Sequence, residues 1–175
     1  MKTWIQGERV QLRPITMEDT ANIIFWRNQS FVRQNFIYQK PFTVASHHQW
    51  FQTMIETGKA IQFIVVRKDN QSDIGSVYFH NINEEHHNAE FGIFLGDSSS
   101  LNQGYGTEAC RLACGYGFEV MGWHKIFLRV LATNMSAIRS YEKAGFSTEA
   151  FLKDEVFSQG EYRDILRMGI ICSIQ

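Results

Sequence analysis

The sequence predicts an α+β fold in which about seven strands form one mixed, mostly antiparallel sheet flanked by about four helices. Two observations lead to this prediction. Apolar residues recur at helical spacing before Gly58 and alternate along predicted strands after it, and helices return between the later strands. The chain has 175 residues, 44% of them hydrophobic, without an internal repeat or linker. This length and composition predict a single domain over residues 1–175.

The first part of the chain is predicted to hold one strand and two helices. Apolar and polar residues alternate over residues 9–15, as in a half-buried strand. Residues 16–19 resemble a capping box that starts the first helix. Residues 46–49 resemble another, which starts a second helix that ends near Gly58. The polar and aromatic stretch over residues 27–43 is predicted to form short helical turns and a loop.

The rest of the chain is predicted to be mostly strands. Short runs of β-branched and aromatic residues are separated by Gly, Asn, Asp and Ser, which favour turns. The predicted elements are a hairpin over residues 61–67 and 74–82, a strand over 88–95, a helix ending near 120, a strand over 125–131, a helix over 134–144 between Asn134 and Gly145, and a closing hairpin over 146–157 and 161–171. Two strands joined through a helix can run parallel.

A glycine-punctuated loop leads into a helix between residues 97 and 120. Gly104 and Gly106 have no Cβ, so the backbone there can turn tightly and lie close to a ligand. The first amides of a helix lack an intrahelical acceptor and the helix dipole favours negative charge, so this segment predicts a phosphate site. No Gly-Lys-Ser/Thr follows, which excludes a Walker loop, and the position past mid-chain disfavours a dinucleotide fingerprint.

Composition argues against several other functions. The net charge of −1 and the pI of about 6.6 offer no basic surface for nucleic acid or an anionic membrane. The first residues lack the apolar core expected of a signal peptide, and no apolar run approaches the ~18 residues of a spanning helix. Cys110 and Cys114 on one helix face suggest reduced thiols. A cytoplasmic location is therefore expected. Histidines at 47–48 and 86–87 are adjacent pairs that point different ways, so no metal site is expected.

Several motifs together resemble one enzyme superfamily. The run that begins AEFGIFLGDSSSLNQGYGTEAC at residue 89 and continues to KAGF at residue 146 is similar to the acetyl-CoA-binding core of the GNAT N-acetyltransferases. GERVQLRPITMED, FWRN and GEYRDILRMGI extend the likeness over nearly the whole chain. They resemble the branch that holds the ribosomal-protein N-terminal, spermidine and amino-sugar acetyltransferases.

The resemblance implies an N-acetyltransferase with acetyl-CoA as cosubstrate and no metal. The glycine loop and helix start would hold the CoA pyrophosphate. The strand over residues 92–95 would carry a bulge and part from residues 126–131, which leaves a gap for pantetheine. The residues that the resemblance assigns to the cofactor are Ile93, Phe94, Leu95, Leu101, Asn102, Gln103, Gly104, Tyr105, Gly106, Thr107, Asn134, Ala137 and Tyr141.

The cofactor loop departs from the usual pattern of these relatives. Leu101, Asn102 and Gln103 stand where relatives usually have an aromatic residue or Gln/Arg, a glycine and a basic residue. The missing cation removes a phosphate partner worth ~1 kcal/mol at an exposed site. The backbone amides remain, so weaker CoA binding is expected.

The chemistry requires a proton acceptor and a proton donor. An amine with a pKa near 10 must lose a proton before it attacks the thioester, and a proton on the leaving thiolate helps its departure. Tyr141 matches the tyrosine acid of the resembled family, and a core aromatic is its structural alternative. Asn134 matches a residue that contacts the cofactor or a water, and it also suits a helix cap. Glu90 is the candidate base, with a salt bridge to an arginine as the alternative.

The acceptor is the least determined part of the prediction. The resemblance places Trp26, Arg27, Asn28, Phe31, Tyr38 and Tyr162 around the acceptor pocket. Arg27 and Arg33 could hold a carboxylate or a sugar-nucleotide phosphate, or form ion pairs with surface acids. Residues 27–41 contain no Asp or Glu, which argues against a polyamine and leaves a protein N-terminus or an amino sugar. A non-catalytic acyl-CoA-binding module remains the alternative to an enzyme, and the resemblance leaves a homodimer open.

Overall fold

One mixed sheet of eight strands runs through the structure, a computed structural model in which residues 4–173 are described. The strands are β1 (Ile5–Gln6), β2 (Val10–Pro14), β3 (Ile61–Arg67), β4 (Asp73–Asn83), β5 (Asn88–Leu95), β6 (Lys125–Leu131), β7 (Ser147–Ser158) and β8 (Glu161–Ile171). Their order across the sheet is β1-β2-β3-β4-β5-β6-β8-β7, and every neighbouring pair is antiparallel except β5 and β6. The predicted α+β class is confirmed. The strand not predicted is β1, a two-residue edge strand.

Helices cover both faces of this sheet. They are α1 (Thr20–Asn28), α2 (Ser30–Arg33), α3 (Val44–Trp50), α4 (Tyr105–Glu119) and α5 (Met135–Ala144), with a π turn at Phe51–Ile55 and 3-10 turns at Met17–Asp19 and Ser98–Ser100. Strand β3 shows the layering, because Phe63 and Val65 join the core under α4 and α5 while Ile64 and Val66 join the core under α1. We call these two sides the α4 face and the α1 face. That residues 1–175 form one domain stays a prediction, since its ends lie outside the described residues.

Capping explains where the shorter helices begin. The predicted cap at residues 46–49 is wrong: α3 begins at Val44, because Thr43 Oγ1 accepts the Ser46 N–H at 3.1 Å and Ser46 Oγ accepts the Thr43 N–H at 2.9 Å. Helix α5 begins as predicted, where Asn134 Oδ1 accepts the Ala137 N–H at 3.2 Å. It ends at Gly145, whose φ of +108° suits a residue without a Cβ.

The parallel pair separates partway along its length. Strands β5 and β6 pair only over Asn88↔Lys125, Ala89↔Ile126 and Glu90↔Phe127. Beyond that point β5 continues with β4 as far as Leu95↔Gly75, and β6 continues with β8. The expected split is present, but the expected bulge at residues 92–95 is not, since the β4–β5 register shifts only between His80 and Asn83. A gap opens because each strand keeps its outer partner.

A cluster of charges ties β2 to β4 and to the 3-10 turn that precedes α1. Arg13 donates two hydrogen bonds to Asp19, at 2.6 and 3.0 Å, and a third to Asp73 at 2.6 Å. Asp19 is only 5% exposed and also accepts the Thr16 N–H at 2.8 Å. Burial alone raises the pKa of Asp19, but these hydrogen bonds outweigh it and hold the pKa below its ordinary value.

Asp19→Asn is therefore expected to destabilise the protein. We expect the free energy of unfolding at pH 7 to fall by about 2–3 kcal/mol, because Arg13 loses a charged partner while keeping Asp73. A depressed carboxyl pKa stabilises the fold above the ordinary value of about 3.9 and stops doing so as the pH falls through the folded pKa. Urea unfolding should therefore show a smaller difference between variant and wild type at about pH 3 than at pH 7.

Asp69→Asn is the matched control, since the Asp69 carboxylate pairs with Arg67 on the surface. It should change the free energy of unfolding by less than about 1 kcal/mol. Equal losses for the two variants would contradict the structural importance of the Arg13 cluster.

Candidate active site

A cavity of about 1130 Å³ passes through the gap between β5 and β6. One end lies at the start of α4, beside α5, and the other lies on the α1 face of the sheet. Side chains from α1, β4, β5, β6 and α5 line it together with the segment between β5 and α4. The split in the sheet therefore connects two chambers on opposite faces. We call the one at the start of α4 the first chamber and the one on the α1 face the second chamber.

The start of α4 forms the wall of the first chamber. Gly104 precedes the helix with a φ of +85°, a left-handed conformation that favours glycine. The Glu108 N–H is bonded to the Gly104 carbonyl at 3.1 Å. The N–H groups of the preceding helical residues lie within the first turn, where an α-helix provides no backbone acceptor. These donors and the helix dipole suit a phosphate group.

Most of the predicted cofactor residues line this cavity. Gln103 and Tyr105 do not: the Gln103 carbonyl accepts a hydrogen bond from Arg9 at 2.7 Å, and the buried Tyr105 ring lies under the Arg9 guanidinium at 4.2 Å. The predicted cofactor residues that do line it are Ile93, Phe94, Leu95, Leu101, Asn102, Gly104, Gly106, Thr107, Asn134, Ala137 and Tyr141.

Two cations from α5 also line the cavity and were missed by the sequence analysis. Arg139 and Lys143 are exposed, lie four residues apart and therefore share one face of α5. A hydroxyl contact of 2.8 Å between Thr107 Oγ1 and Ser140 Oγ holds α5 against the start of α4. Positive charge absent from the loop over residues 101–103 is thus available from α5. The four-residue spacing of the two cations was the signal that could have found them.

Tyr141 lines the cavity from α5. Its ring packs edge-on against Phe91 at a centroid distance of 6.4 Å and lies tilted against Phe146 at 6.0 Å. Burial raises the pKa of the Tyr141 phenol well above its ordinary value, so the hydroxyl is neutral at physiological pH and available to donate a hydrogen bond. Asn134 both caps α5 and lines the cavity, so the two roles weighed for it are compatible.

Glu90 lies at the last paired position of the two parallel strands. Its Oε1 accepts a hydrogen bond from Arg129 Nε at 2.8 Å, and its Oε2 accepts one from Asn81 Nδ2 at 2.8 Å. The carboxylate therefore forms the salt bridge that the sequence analysis gave as the alternative to a base. It also lines the cavity, so its role in proton transfer stays a prediction.

Tyr78 and His80 line the second chamber, and the sequence analysis assigned them no role. Tyr78 pairs across the sheet with Gly92, where an added Cβ would lie 2.5 Å from the Tyr78 hydroxyl, so only glycine admits this ring position. Nε2 of His80 lies 3.9 Å from Oε2 of Glu90, and burial lowers the pKa of His80, so its imidazole is neutral at pH 7. Both residues alternate with buried Val77 and Phe79, and this period of two was the signal that could have found them.

The predicted acceptor residues divide into two groups. Arg27, Phe31 and Tyr38 line the cavity, whereas Trp26, Asn28 and Tyr162 do not. Trp26 is buried against Gly96, and Asn28 exchanges two hydrogen bonds with the backbone of Phe42. Tyr162 is 66% exposed on the β7–β8 hairpin, where its ring packs on Phe157. The structure does not bring these three side chains to the site.

Residues 4–173 present neither a cluster of metal ligands nor a membrane-spanning helix. No group of three or more His, Cys, Asp or Glu side chains could hold a metal ion there. In the same part of the chain, no helix is both long enough and apolar enough to cross a membrane. Cys110 and Cys114 are buried thiols in α4. The cytoplasmic location stays a prediction.

Comparison with known proteins identifies this arrangement. The family model described as the acetyltransferase (GNAT) domain matches residues 9–147. Spermidine N(1)-acetyltransferase of Escherichia coli is 32% identical over 162 residues, 92% of this chain and 85% of its own length.

Two solved structures of the spermidine N-acetyltransferase of Vibrio cholerae, each 26% identical in sequence, share the fold. The complex with CoA and spermine superposes with a TM-score of 0.87 and covers 94% of this chain and 96% of its own. A dodecameric form, described as an intermediate state, superposes with a TM-score of 0.79 and covers 94% of this chain and 95% of its own.

Gly106→Val is expected to reduce the affinity for acetyl-CoA at least about tenfold, or ~1.4 kcal/mol. A Cβ at Gly106 would meet only Leu95, Ile93 and Ser140, at 3.6 to 4.0 Å, so the fold tolerates it. The two added methyl groups would instead occupy the cavity beside the first amides of α4. Isothermal titration calorimetry gives the affinity, and urea unfolding should show little change in stability.

Gly115→Val is the matched control in the same helix. A Cβ at Gly115 meets nothing within 4 Å, and Gly115 lies outside the cavity. Acetyl-CoA should bind this variant as it binds the wild type. Unchanged affinity in Gly106→Val, or an equal loss in both variants, would be incompatible with a pyrophosphate at the start of α4.

Proposed function

Since this chain belongs to the GNAT acetyltransferase family and is an N-acetyltransferase with acetyl-CoA as its cosubstrate, we propose that it acetylates a small primary amine bound on the α1 face of its sheet. The observation that supports this proposal is the continuous cavity from the start of α4 to the α1 face. Pantetheine lies along the gap between β5 and β6, where the two strands no longer pair with each other. The acceptor approaches the thioester from the opposite chamber.

In the proposed reaction the amine attacks the thioester carbonyl directly. The neutral amine forms a C–N bond, the tetrahedral intermediate expels the CoA sulfur, and the nitrogen loses a proton. Tyr141 donates a hydrogen bond to the sulfur as negative charge develops on it, a role that suits a phenol kept neutral by burial. Asn134 contacts the cofactor beside it. The products are an N-acetyl amide and CoA.

The proton released by the acceptor needs a nearby base. We propose that Glu90 receives it through water, with the neutral imidazole of His80 as a second group on the route. Both side chains line the chamber, and Glu90 Oε2 lies 3.9 Å from His80 Nε2. The Arg129 and Asn81 hydrogen bonds hold Glu90 in place while its oxygens retain further lone pairs.

Cations of α5 are proposed to replace the basic residue missing from the cofactor loop. Arg139 and Lys143 flank the chamber into which the first amides of α4 point. Charge-assisted contacts from these side chains would add to the backbone donors. Leu101 and Asn102 then contribute mainly shape to the cofactor site.

The proposal also concerns which class of amine is the acceptor. Similarity to spermidine acetyltransferases supports a polyamine, which the sequence analysis ranked behind a protein N-terminus and an amino sugar. The lining of the cavity instead favours an amine without extra positive charge, because Glu90, the one acidic residue among the described residues that line it, is already paired with Arg129. The similarity and the cavity thus favour different amines, so spermidine and spermine are to be tested beside amines without extra positive charge.

Release of free CoA thiol measures the activity directly. We expect acetyl-CoA-dependent thiol release with at least one small primary amine in a panel of polyamines, amino acids, amino sugars and N-terminal peptides. Tyr141→Phe should lower kcat by about tenfold or more, since a proton donor is removed, and leave the Kd for acetyl-CoA within about twofold.

Tyr116→Phe is the matched control, because Tyr116 packs against Phe63 in the core and lies outside the cavity. Its kcat should equal that of the wild type. Full turnover by Tyr141→Phe would remove this tyrosine from the mechanism. If no amine of the panel gives thiol release, the result would count against acetyl transfer to a small amine.

We also propose that the chain self-associates. The dodecamer formed by the relative from Vibrio cholerae supports assembly, and Phe151, Phe157 and Tyr162 leave apolar surface exposed on the β7–β8 hairpin. Multi-angle light scattering should give a mass that is a multiple of 20.3 kDa. A monomer at micromolar concentration would contradict the proposal.

A further inference from the structure

The second chamber holds an arginine without a carboxylate partner. Arg27 lies near the end of α1 and lines the cavity. Within residues 4–173, no Asp or Glu side chain forms an ion pair with it. Burial lowers the pKa of Arg27 but leaves the guanidinium charged, because its ordinary value is far above physiological pH. The protein thus keeps an uncompensated positive charge inside its acceptor chamber.

Aromatic rings hold this guanidinium in place. Its central carbon lies 3.6 Å from the centre of the Phe36 ring, 4.7 Å from that of Phe42 and 5.7 Å from that of Phe94. Such rings attract a cation but offer its N–H donors no pair of oxygen acceptors. A guanidinium presents parallel donors that match a carboxylate or a phosphate. The position is therefore preorganised for an anion that the chain itself does not supply.

The other ionisable groups of the chamber do not neutralise the positive charge of Arg27. Glu90 is engaged by Arg129 and Asn81, and the neighbouring His80 and His47 are neutral because burial lowers the pKa of each. Arg139 and Lys143 belong to the cofactor side and add no negative charge. A polycation would therefore meet Arg27 without finding a free carboxylate. An amine that carries its own negative group would neutralise Arg27 on binding.

We infer that the acceptor amine of this enzyme carries an oxyanion, either a carboxylate or a phosphate, and that Arg27 binds it. This inference rests on the proposed function, since it concerns the acceptor of the same transfer reaction. The anion on Arg27 orients the acceptor, so that its amino group points along the chamber toward Tyr141 and the thioester. Arg27 is thus a specificity-determining residue, and the enzyme differs in acceptor charge from the spermidine acetyltransferases that it resembles.

Matched pairs of amines test the inference through thiol release. The pairs are butylamine and 4-aminobutyrate, ethanolamine and O-phosphoethanolamine, and glucosamine and glucosamine 6-phosphate, with spermidine added as a polycation. We expect kcat/KM to be at least tenfold higher for the anionic member of at least one pair, and higher for it than for spermidine. The carboxylate and phosphate pairs then show which oxyanion the site prefers.

Variants of Arg27 connect the preference to this side chain. Arg27→Gln should lower kcat/KM for the preferred anionic amine at least tenfold, mainly through KM, and leave kcat/KM for the matched amine without the oxyanion within about twofold. Arg27→Lys should restore part of the loss. Arg33→Gln is the matched control, because Arg33 lies on neighbouring α2 outside the cavity, and it should keep the full preference. Unchanged acetyl-CoA affinity by calorimetry establishes that each variant is folded.

The outcomes separate the inference from the proposed function. If spermidine or an amine without an oxyanion is the best acceptor, or if the preference for the anionic amine survives in Arg27→Gln, the inference is overturned and amine acetylation stands. If none of these acceptors gives thiol release, both the inference and the proposed function are overturned.

Discussion

The parting of β5 from β6 is the constraint on which the site depends. Both strands are held on their outer sides, β5 by β4 and β6 by β8, so the separation beyond Glu90↔Phe127 persists without a bulge. The ion pair between Glu90 and Arg129 spans the two strands where they separate. It adds a side-chain link beside the last backbone pairing, and it fixes the position of Glu90, the one carboxylate that lines the cavity among residues 4–173.

Each face of the sheet contributes a different kind of chemistry at this gap. On the α4 face, backbone donors at a helix start and cations of α5 suit phosphates, while Tyr141 stays neutral by burial. On the α1 face, aromatic rings and Arg27, which forms no ion pair within residues 4–173, line the second chamber. The family likeness extends over both faces, whereas the proposed acceptor specificity rests on a few side chains. Similarity to spermidine enzymes and the proposed anionic acceptor are therefore physically compatible.

Local patterns in the sequence predicted most elements because they carry a clear period or cap. Strands β5 and β6 have the predicted bounds, and Asn134 and Gly145 delimit α5. Strand β1 was missed because two residues show no periodicity. The start of α3 was misplaced because Ser46 fits two overlapping capping patterns, and the structure uses the one with Thr43.

Features of the site that depend on packing could not be read from the sequence. Arg129 meets Glu90 only because two strands 39 residues apart along the chain are parallel neighbours. Glycine at position 92 admits Tyr78, a contact made across β4 and β5. The exclusion of Trp26 and Asn28 from the cavity likewise follows from tertiary contacts with Gly96 and Phe42. The glycine loop was predictable because its conformational requirement is local.

A crystal structure of the protein with bound CoA would test the central claim most directly. Density for the pyrophosphate at the first amides of α4, with pantetheine between β5 and β6 beyond Glu90 and its sulfur beside Tyr141, is the predicted result. Density for CoA outside the gap, or a gap closed by pairing between residues 91–95 and 128–131, would contradict the account.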